Sequence, residues 1–409
     1  MRIGILRESK KPYDRRTPLV PEDCRDLLAN FRGLEIQVQA SDFRCYNDDA
    51  FLEFGCRVVE HLEGCDLYLG VKEVSVNLLH ANQCYAFFSH TIKEQPYNQA
   101  MMQHMVANEI TLYDYELMVN PLGVRTVAFG KWAGIVGAWH ALRMWGIRQG
   151  TYSIPTAHEL GSYSRMLDMG HGLSLPPTSI LICGDGRVGS GARELLQELS
   201  LPQIPPEAWT HQVQQGPQTA FTVLNSSHMV QTLNGNPFGE AEFHRHPERY
   251  RSVMKPYLSA ADILINTIYW DPRAPRHFQA EDLLAPDFKV QQIADISCDI
   301  QGSIPITYRS TTIQHPYYGV SKTDLKECAP FGPGVVDLMA VDNLPCELPV
   351  EASQDFSKAL CTHFLPDFLA GKNQESSQNH KARLLHRGEL SPYYEHLRRY
   401  AYENKVEQA

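Results

Sequence analysis

Short apolar runs separated by charged or amphipathic stretches organise the first third of the chain. Residues 2–7 read as a strand ending in charge, residues 21–31 as a helix opened by proline and acidic residues, and residues 35–39 as a second strand. Residues 66–71 and 84–88 are apolar on both faces, as buried parallel strands are. Each stops in polar chemistry, Lys72-Glu73 after the first and Ser89-His90 after the second. A longer helix is predicted over residues 133–149, where Gly134, Gly137 and Ala138 would permit close packing; it is expected to connect two domains.

The pattern resumes near Pro176-Pro177. Residues 179–183 form an apolar strand that runs into Gly184-Asp185-Gly186-Arg187-Val188-Gly189, and residues 190–196 open a helix. Strand, glycine turn and helix together are the context in which G-x-G-x-x-G points to a dinucleotide. Gly184 would allow the tight turn, Gly186 the approach of a pyrophosphate, and Gly189 close packing of helix on strand. The amides at the helix start would meet the phosphates. A tight strand–helix turn without any ligand is the plainer alternative. Further strands are predicted over residues 261–268 and 290–296. The polar stretch 212–218 reads as a surface loop that opens an insertion running to about Tyr250. A polar linker over 373–380 and a helical tail over 392–408 follow, and no internal repeat is present.

Composition narrows the class. The chain has 409 residues, 43% hydrophobic and 21% charged, which suits a globular protein of at least two domains. A net charge of −10 without a basic stripe argues against a nucleic-acid partner. The first residues lack a signal-peptide core and no apolar stretch is long enough to span a membrane, so a cytoplasmic location is expected. Ten scattered cysteines without a C-x-x-C pair suit reduced thiols better than disulfides or a zinc site.

Arg16, Lys72, His90 and Lys93 are the polar groups that could do chemistry in the first part. A lysine near a strand end is usually a solvated charge, and a lone histidine usually a satisfied, partly buried one. Here Lys72 and His90 end two successive parallel-type strands, which would bring them to one sheet edge. A partly buried lysine beside other cations titrates nearer neutrality and can exchange protons, and histidine does so without help. Arg16, Lys93 and Arg125 are suited to gripping carboxylates.

With longer motifs added, the chain resembles the alanine dehydrogenase and saccharopine dehydrogenase superfamily over nearly its whole length. The motifs are Asp14-Arg15-Arg16-Thr17-Pro18, Leu69-Gly70-Val71-Lys72, Ser89-His90-Thr91-Ile92-Lys93-Glu94-Gln95, Leu112-Tyr113-Asp114-Tyr115-Glu116 and Arg125-Thr126-Val127-Ala128-Phe129-Gly130-Lys131-Trp132-Ala133-Gly134. They continue in His246-Pro247-Glu248-Arg249-Tyr250, Ile265-Asn266-Thr267-Ile268-Tyr269-Trp270 and Val341-Asp342-Asn343-Leu344-Pro345. The nearer likeness is to the lysine-forming saccharopine dehydrogenases and to the lysine–ketoglutarate reductase domain. The resemblance implies an α/β fold of two Rossmann-like domains with parallel sheets and a cleft between them. It implies a discontinuous substrate domain, 1–130 plus 350–409, and a dinucleotide-binding domain, 131–349, with the insertion at about 211–250.

The resemblance also implies roles. Lys72 and His90 would be the acid–base pair; Arg16, Gln95, Arg125 and Phe129 would line the substrate site, with Glu116 and Lys93 tuning it. Ser297, Cys298 and Asp299 would face substrate. Gly184, Gly186, Arg187, Val188 and Gly189 would hold the pyrophosphate, Tyr269 and Ile296 the rings or ribose, and Val341, Asp342, Asn343 and Leu344 the nicotinamide end. No metal is implied. The implied reaction interconverts saccharopine with lysine and 2-oxoglutarate, using NAD or NADP. Another amino-acid or opine dehydrogenase, or a silent nucleotide-binding regulator, would share the fold. The ribose-reading carboxylate is expected about twenty residues past the turn. That zone offers only Glu207, with Thr210 where the lysine-forming enzymes would place an aspartate, so NADPH is the favoured of the two cofactors.

Overall fold

The computed structural model describes residues 1–8, 14–214, 216, 218–371 and 378–403. Contacts divide the chain into two units, one of Met1–Phe129 with Pro349–Ala409 and one of Gly130–Leu348.

The first unit is built on β1 (Arg2–Ile5), β2 (Glu35–Gln39), β3 (Arg57–Val59), β4 (Leu67–Leu69), β5 (Cys84–Phe87) and β6 (Thr111–Asp114). These pair in parallel in the order β3-β2-β1-β4-β5-β6. The order reverses between β1 and β4, which is the switch point of a doubly wound sheet, where ligands collect at the carboxyl edge. The runs are apolar because both faces are covered: Leu67, Tyr68 and Leu69 are all buried. The chain's last part completes this unit. Helix Pro349–His363 supplies Ser353 Oγ and Ser357 Oγ, which accept from the backbone amides of Thr17 and Val20, both at 3.0 Å. Strand Arg383–His386 then adds antiparallel to β6.

The second unit contains β7 (Ser179–Cys183), β8 (Ala220–Leu224), β9 (Val230–Thr232), β10 (Tyr250–Ser252), β11 (Ile263–Asn266), β12 (Gln292–Asp295), β13 (Tyr317–Ser321), β14 (Glu327–Cys328) and β15 (Val335–Met339). Its main sheet runs β14-β13-β15-β12-β11-β7-β8, parallel from β15 to β8. β13 is antiparallel to both its neighbours, and the switch falls between β7 and β11. Both units are thus α/β with largely parallel sheets.

Three expectations need correction. The helix predicted as a connector runs from Gly130 to Gln149 and lies wholly in the second unit, packed on the sheet and on helix Arg187–Glu198. It is apolar nearly all round, and such a helix has no solvent face to bridge domains with. Residues 212–214 end a helix, Pro206–Gln214, instead of opening a loop; the extra segment lies after β8, over residues 225–258, and forms the β9–β10 pair. Gln215 and Pro217 of that stretch lie outside the described residues, as do 373–377 of the polar linker and 404–408 of the tail. The described tail is a 3-10 turn, Pro392–Leu397, and a short helix, Arg398–Tyr402.

Candidate active site

In the first unit the polar residues at the strand ends engage one another. Glu8, after β1, accepts from the amides of Val71 (2.7 Å) and Lys72 (3.0 Å), which follow β4. Desolvation first, then repulsion from Asp14, pushes the Glu8 carboxyl up to about 7. Glu73 is buried and its Oε1 lies 2.9 Å from His90 Nδ1, while the Asn98 amide bridges Glu73 Oε1 and the Ser89 carbonyl. The β4–β5 register therefore brings the Lys72 and His90 segments to one edge and joins them through Glu73. His90 has a φ of 50°, a left-handed conformation that is rare for a side-chain-bearing residue and concentrates at functional sites. Its ring stacks on Phe88 with centroids 6.0 Å apart.

The end of β6 continues the chain of contacts. Asp114 is fully buried; it accepts from Ser89 Oγ and from the Glu116 amide at 2.8 Å. Burial, then the charge of Glu116, pushes its carboxyl up to about 7. Glu116 Oε1 in turn meets Arg125 Nη2 at 3.0 Å, with Arg125 largely exposed. Lys93 is exposed and Gln95 half-buried on the segment beyond His90. Arg16 departs from expectation. It is buried, and Asp14 holds it bidentately, Nε to Oδ1 at 2.8 Å and Nη2 to Oδ2 at 2.6 Å. The fork that would grip a substrate carboxylate is engaged inside the unit. Its guanidinium lies 4.2 Å above the Phe129 ring, which stacks on Phe356 at 4.4 Å.

In the second unit the carboxyl edge is built differently. Gly184 has a φ of 103°, and a Cβ on Gly189 would fall 1.9 Å from the Gly184 carbonyl oxygen, so the turn tolerates no side chain at either position. A Cβ on Gly186 would meet nothing within 4 Å, which leaves its face open to a ligand. Helix Arg187–Glu198 starts there with no side-chain cap on its amides. A turn, an open approach and uncapped amides fit a pyrophosphate. Arg187 is exposed and Val188 half-buried.

Beside the turn lies a buried, mostly uncharged network. Asn266 Nδ2 donates to Asp295 Oδ1 (2.8 Å) and Ser303 Oγ (2.9 Å), and Asn266 Oδ1 lies 3.0 Å from His277 Nε2. Ser297 Oγ donates to Asp295 Oδ1 at 2.8 Å. Burial raises Asp295 and lowers His277 to about 4, each toward its neutral form. Cys298, expected to face substrate, points its thiol at the carbonyls of Asp295 (3.4 Å) and Val341 (3.3 Å), and burial pushes that thiol well up. Asp299 is half-buried, Tyr269 is 77% exposed, and Val341, Asn343 and Leu344 are buried beside an exposed Asp342.

The ribose readers also need correction. Glu207 and Thr210 lie on helix Pro206–Gln214, ahead of β8, and not at a strand end. The residues that follow β8 are Asn225, Ser226, Ser227 and His228, with Asn225 Oδ1 accepting from the Ser227 amide at 3.1 Å. The helix intervenes between the glycine turn and β8, so the strand ends at Leu224, well beyond Thr210. Glu207 meets this end at His228 Nε2, at 3.3 Å. A cavity of about 160 Å³ opens between the segments after β8 and β11, lined by Ser226, Met229, Phe243, Ile268, Tyr269 and Trp270. Glu8, Glu73, Ser89 and Asp114 take parts in the site that their residue types alone do not announce. Their shared signal in the sequence is position, a polar residue at or just beyond the end of an apolar run.

Two doubly wound units define the class of the fold. An L-alanine dehydrogenase of known structure superposes with a TM-score of 0.67 at 19% identity, covering 97% of this chain and 99% of that one. Residues 4–136 match the family model described as alanine dehydrogenase/PNT, N-terminal domain. Within that class the chain is 31% identical to the alpha-aminoadipic semialdehyde synthase of Arabidopsis thaliana, over 99% of this chain and 42% of that protein. It is 28% identical to the NAD(+), L-lysine-forming saccharopine dehydrogenase of Emericella nidulans, over 91% of this chain and 93% of that protein. Residues 4–136 are thus similar to an alanine dehydrogenase/PNT N-terminal domain, and the chain is similar to saccharopine dehydrogenases and to the semialdehyde synthases, of which it spans less than half the length.

Proposed function

We propose that the chain is a nicotinamide-dinucleotide-dependent oxidoreductase that interconverts saccharopine with lysine and 2-oxoglutarate. The observation that carries this reading is the joined acid–base edge of the first unit, where Lys72 and His90 follow neighbouring strands and Glu73 links them. The open glycine turn of the second unit and the homology to saccharopine dehydrogenases support it.

The dinucleotide would rest on the amides after Gly186, with its adenosine ribose near Asn225 to His228 and its nicotinamide half on the β12–β15 side, near Ile296 and Asn343. When bound, it supplies the hydride acceptor or donor. The chain's own groups handle protons. The substrate amine must lose a proton before the C–H bond breaks, water must be deprotonated to add to the resulting imine, and the departing lysine nitrogen must be protonated. Two titratable groups serve these transfers better than one, and Lys72 and His90 take that role. Glu73 holds the His90 ring in place; Arg125, steadied by Glu116, is an exposed cation that would meet a carboxylate.

The test is oxidation of NADH or NADPH by 2-oxoglutarate with lysine, against pyruvate with ammonia under matched conditions. Turnover well above background with lysine and 2-oxoglutarate, and little with pyruvate and ammonia, is expected. The opposite ranking would transfer the chain to the alanine dehydrogenase reaction.

A further inference from the structure

Helix Gly130–Gln149 touches three separate segments of the carboxyl edge along one side. A Cβ on Gly134 would fall 1.9 Å from the Val188 carbonyl oxygen, just inside the glycine turn. A Cβ on Gly137 would fall 2.2 Å from Ile296 Cδ1, beyond β12, and 3.4 Å from Leu344 Cδ1, beyond β15. One turn on, His140 is fully buried, and its Nε2 lies 2.6 Å from Oε1 of Glu347, itself fully buried at the end of the 3-10 turn Leu344–Glu347.

The remaining polar atoms of this pair are also satisfied. Arg143 Nη1 donates to the Tyr317 hydroxyl at 2.9 Å, and that hydroxyl lies 2.8 Å from His140 Nδ1. Glu347 Oε2 accepts from the His158 amide at 3.2 Å. With Arg143 filling the acceptor side of the hydroxyl, Tyr317 donates to Nδ1 and His140 donates through Nε2 to the carboxylate. A buried polar network in which every member is satisfied fixes one geometry, because any displacement leaves a dry polar atom unpaired. Apolar packing alone would let Leu344 slide along the helix; a bond to Glu347, three residues on, does not.

We infer that His140 and Glu347 are positioning residues, whose bond locks the Asn343–Leu344 segment at the height along helix Gly130–Gln149 that the nicotinamide half of the dinucleotide requires. This rests on the nucleotide reading above. In a sheet of this order the adenosine half lies over the strand after the glycine turn, and the other half on the far side of the switch, which here is the β11–β12–β15 side. His140 and Glu347 are too deep to touch any ligand, so their effect must pass through Leu344 and Asn343.

The experiment compares a whole ligand with one that lacks the nicotinamide. Affinities for NADH, NADPH and ADP-ribose are measured by titration in the native chain, in Glu347→Met, in Glu347→Gln, which keeps an acceptor for His140, and in Tyr317→Phe, which removes one hydroxyl and little volume. In Glu347→Met the dinucleotide should weaken by about tenfold or more, while ADP-ribose binding stays within about twofold. Glu347→Gln should restore most of the dinucleotide affinity, and Tyr317→Phe should show the same selective loss on a smaller scale. Equal loss of both ligands, or no loss of either, in folded Glu347→Met or Tyr317→Phe would overturn the inference. If Glu347→Met does not fold, the Tyr317→Phe arm decides by the same ratio. A native chain that binds neither ligand would instead overturn the nucleotide reading beneath it.

Discussion

The carboxyl edges of the two sheets have the same strand logic and carry opposite chemistry. In the first unit the strand ends carry ionisable side chains: Glu73 meets His90, Asp114 accepts from Ser89 Oγ and from the Glu116 amide, and Glu8 accepts from the amides that follow β4. In the second unit the same edge presents an open glycine turn, uncapped helix amides, and a core of amides and hydroxyls around Asn266 and Asp295. In the function proposed above, the first arrangement would hold and move protons, and the second would receive phosphates and a flat ring. The backbone order makes an edge where ligands collect, but the two or three residues beyond each strand decide what that edge does.

If this division is real, the largest break comes from the first edge alone. Lys72→Met and His90→Gln should each lower kcat and kcat/KM together by about 10²- to 10⁴-fold, because proton transfer is made in the transition state. Dinucleotide affinity, measured by titration, should stay near native in both. A variant that keeps its kcat, or loses dinucleotide binding in parallel, would dissolve the contrast between the edges.

A smaller effect sharpens the second edge. The residues Asn225 to His228 that follow β8 include no carboxylate, and Glu207 beside them is paired with His228, so NADPH should be accepted at least as well as NADH. Asn225→Asp should move the NADH/NADPH ratio of kcat/KM toward NADH by about tenfold, equivalent to about 1.4 kcal/mol. Thr210→Asp, on the preceding helix, should move it far less. The reverse ranking of these two variants would return the reading to that helix.

The smallest effect is on stability. The Asp114 carboxyl rises from its ordinary 3.8 to about 7 in the fold, so the fold favours its protonated form. Its contribution is complete below about pH 4 and is lost as pH rises through about 7. Glu8, raised from 4.5 to about 7, acts in the same direction. Denaturant midpoints should therefore show a component that falls from acid toward neutral pH, and Asp114→Asn should flatten that fall. An unchanged slope would mean that the buried carboxyl does not titrate in that window.

Much of both edges is legible in the chain itself. The doubly apolar runs mark β4 and β5, their polar endings place Lys72 and His90 on a shared edge, and the strand–glycine–helix order marks the turn at Gly184 to Gly189. These are local signals, since apolar runs reflect burial on both faces and a glycine fingerprint reflects backbone constraints within six residues. The ribose position is not legible in the same way, because counting from the turn assumes a fixed distance to the next strand, and helix Pro206–Gln214 intervenes. The helix expected as a connector is a matter of context too, as only packing on β11 and β12 shows why Gly130–Gln149 lacks a polar face.

The set of elements and the residues at their ends follow from the chain alone, because periodicity and turn chemistry act over a few positions. The partners do not. Glu73 takes His90, and Glu347 meets His140 across 207 residues. Such pairings are settled in three dimensions by strand register and helix packing, where a shift of one residue would turn a side chain to the opposite face. A one-dimensional pattern carries no record of that choice.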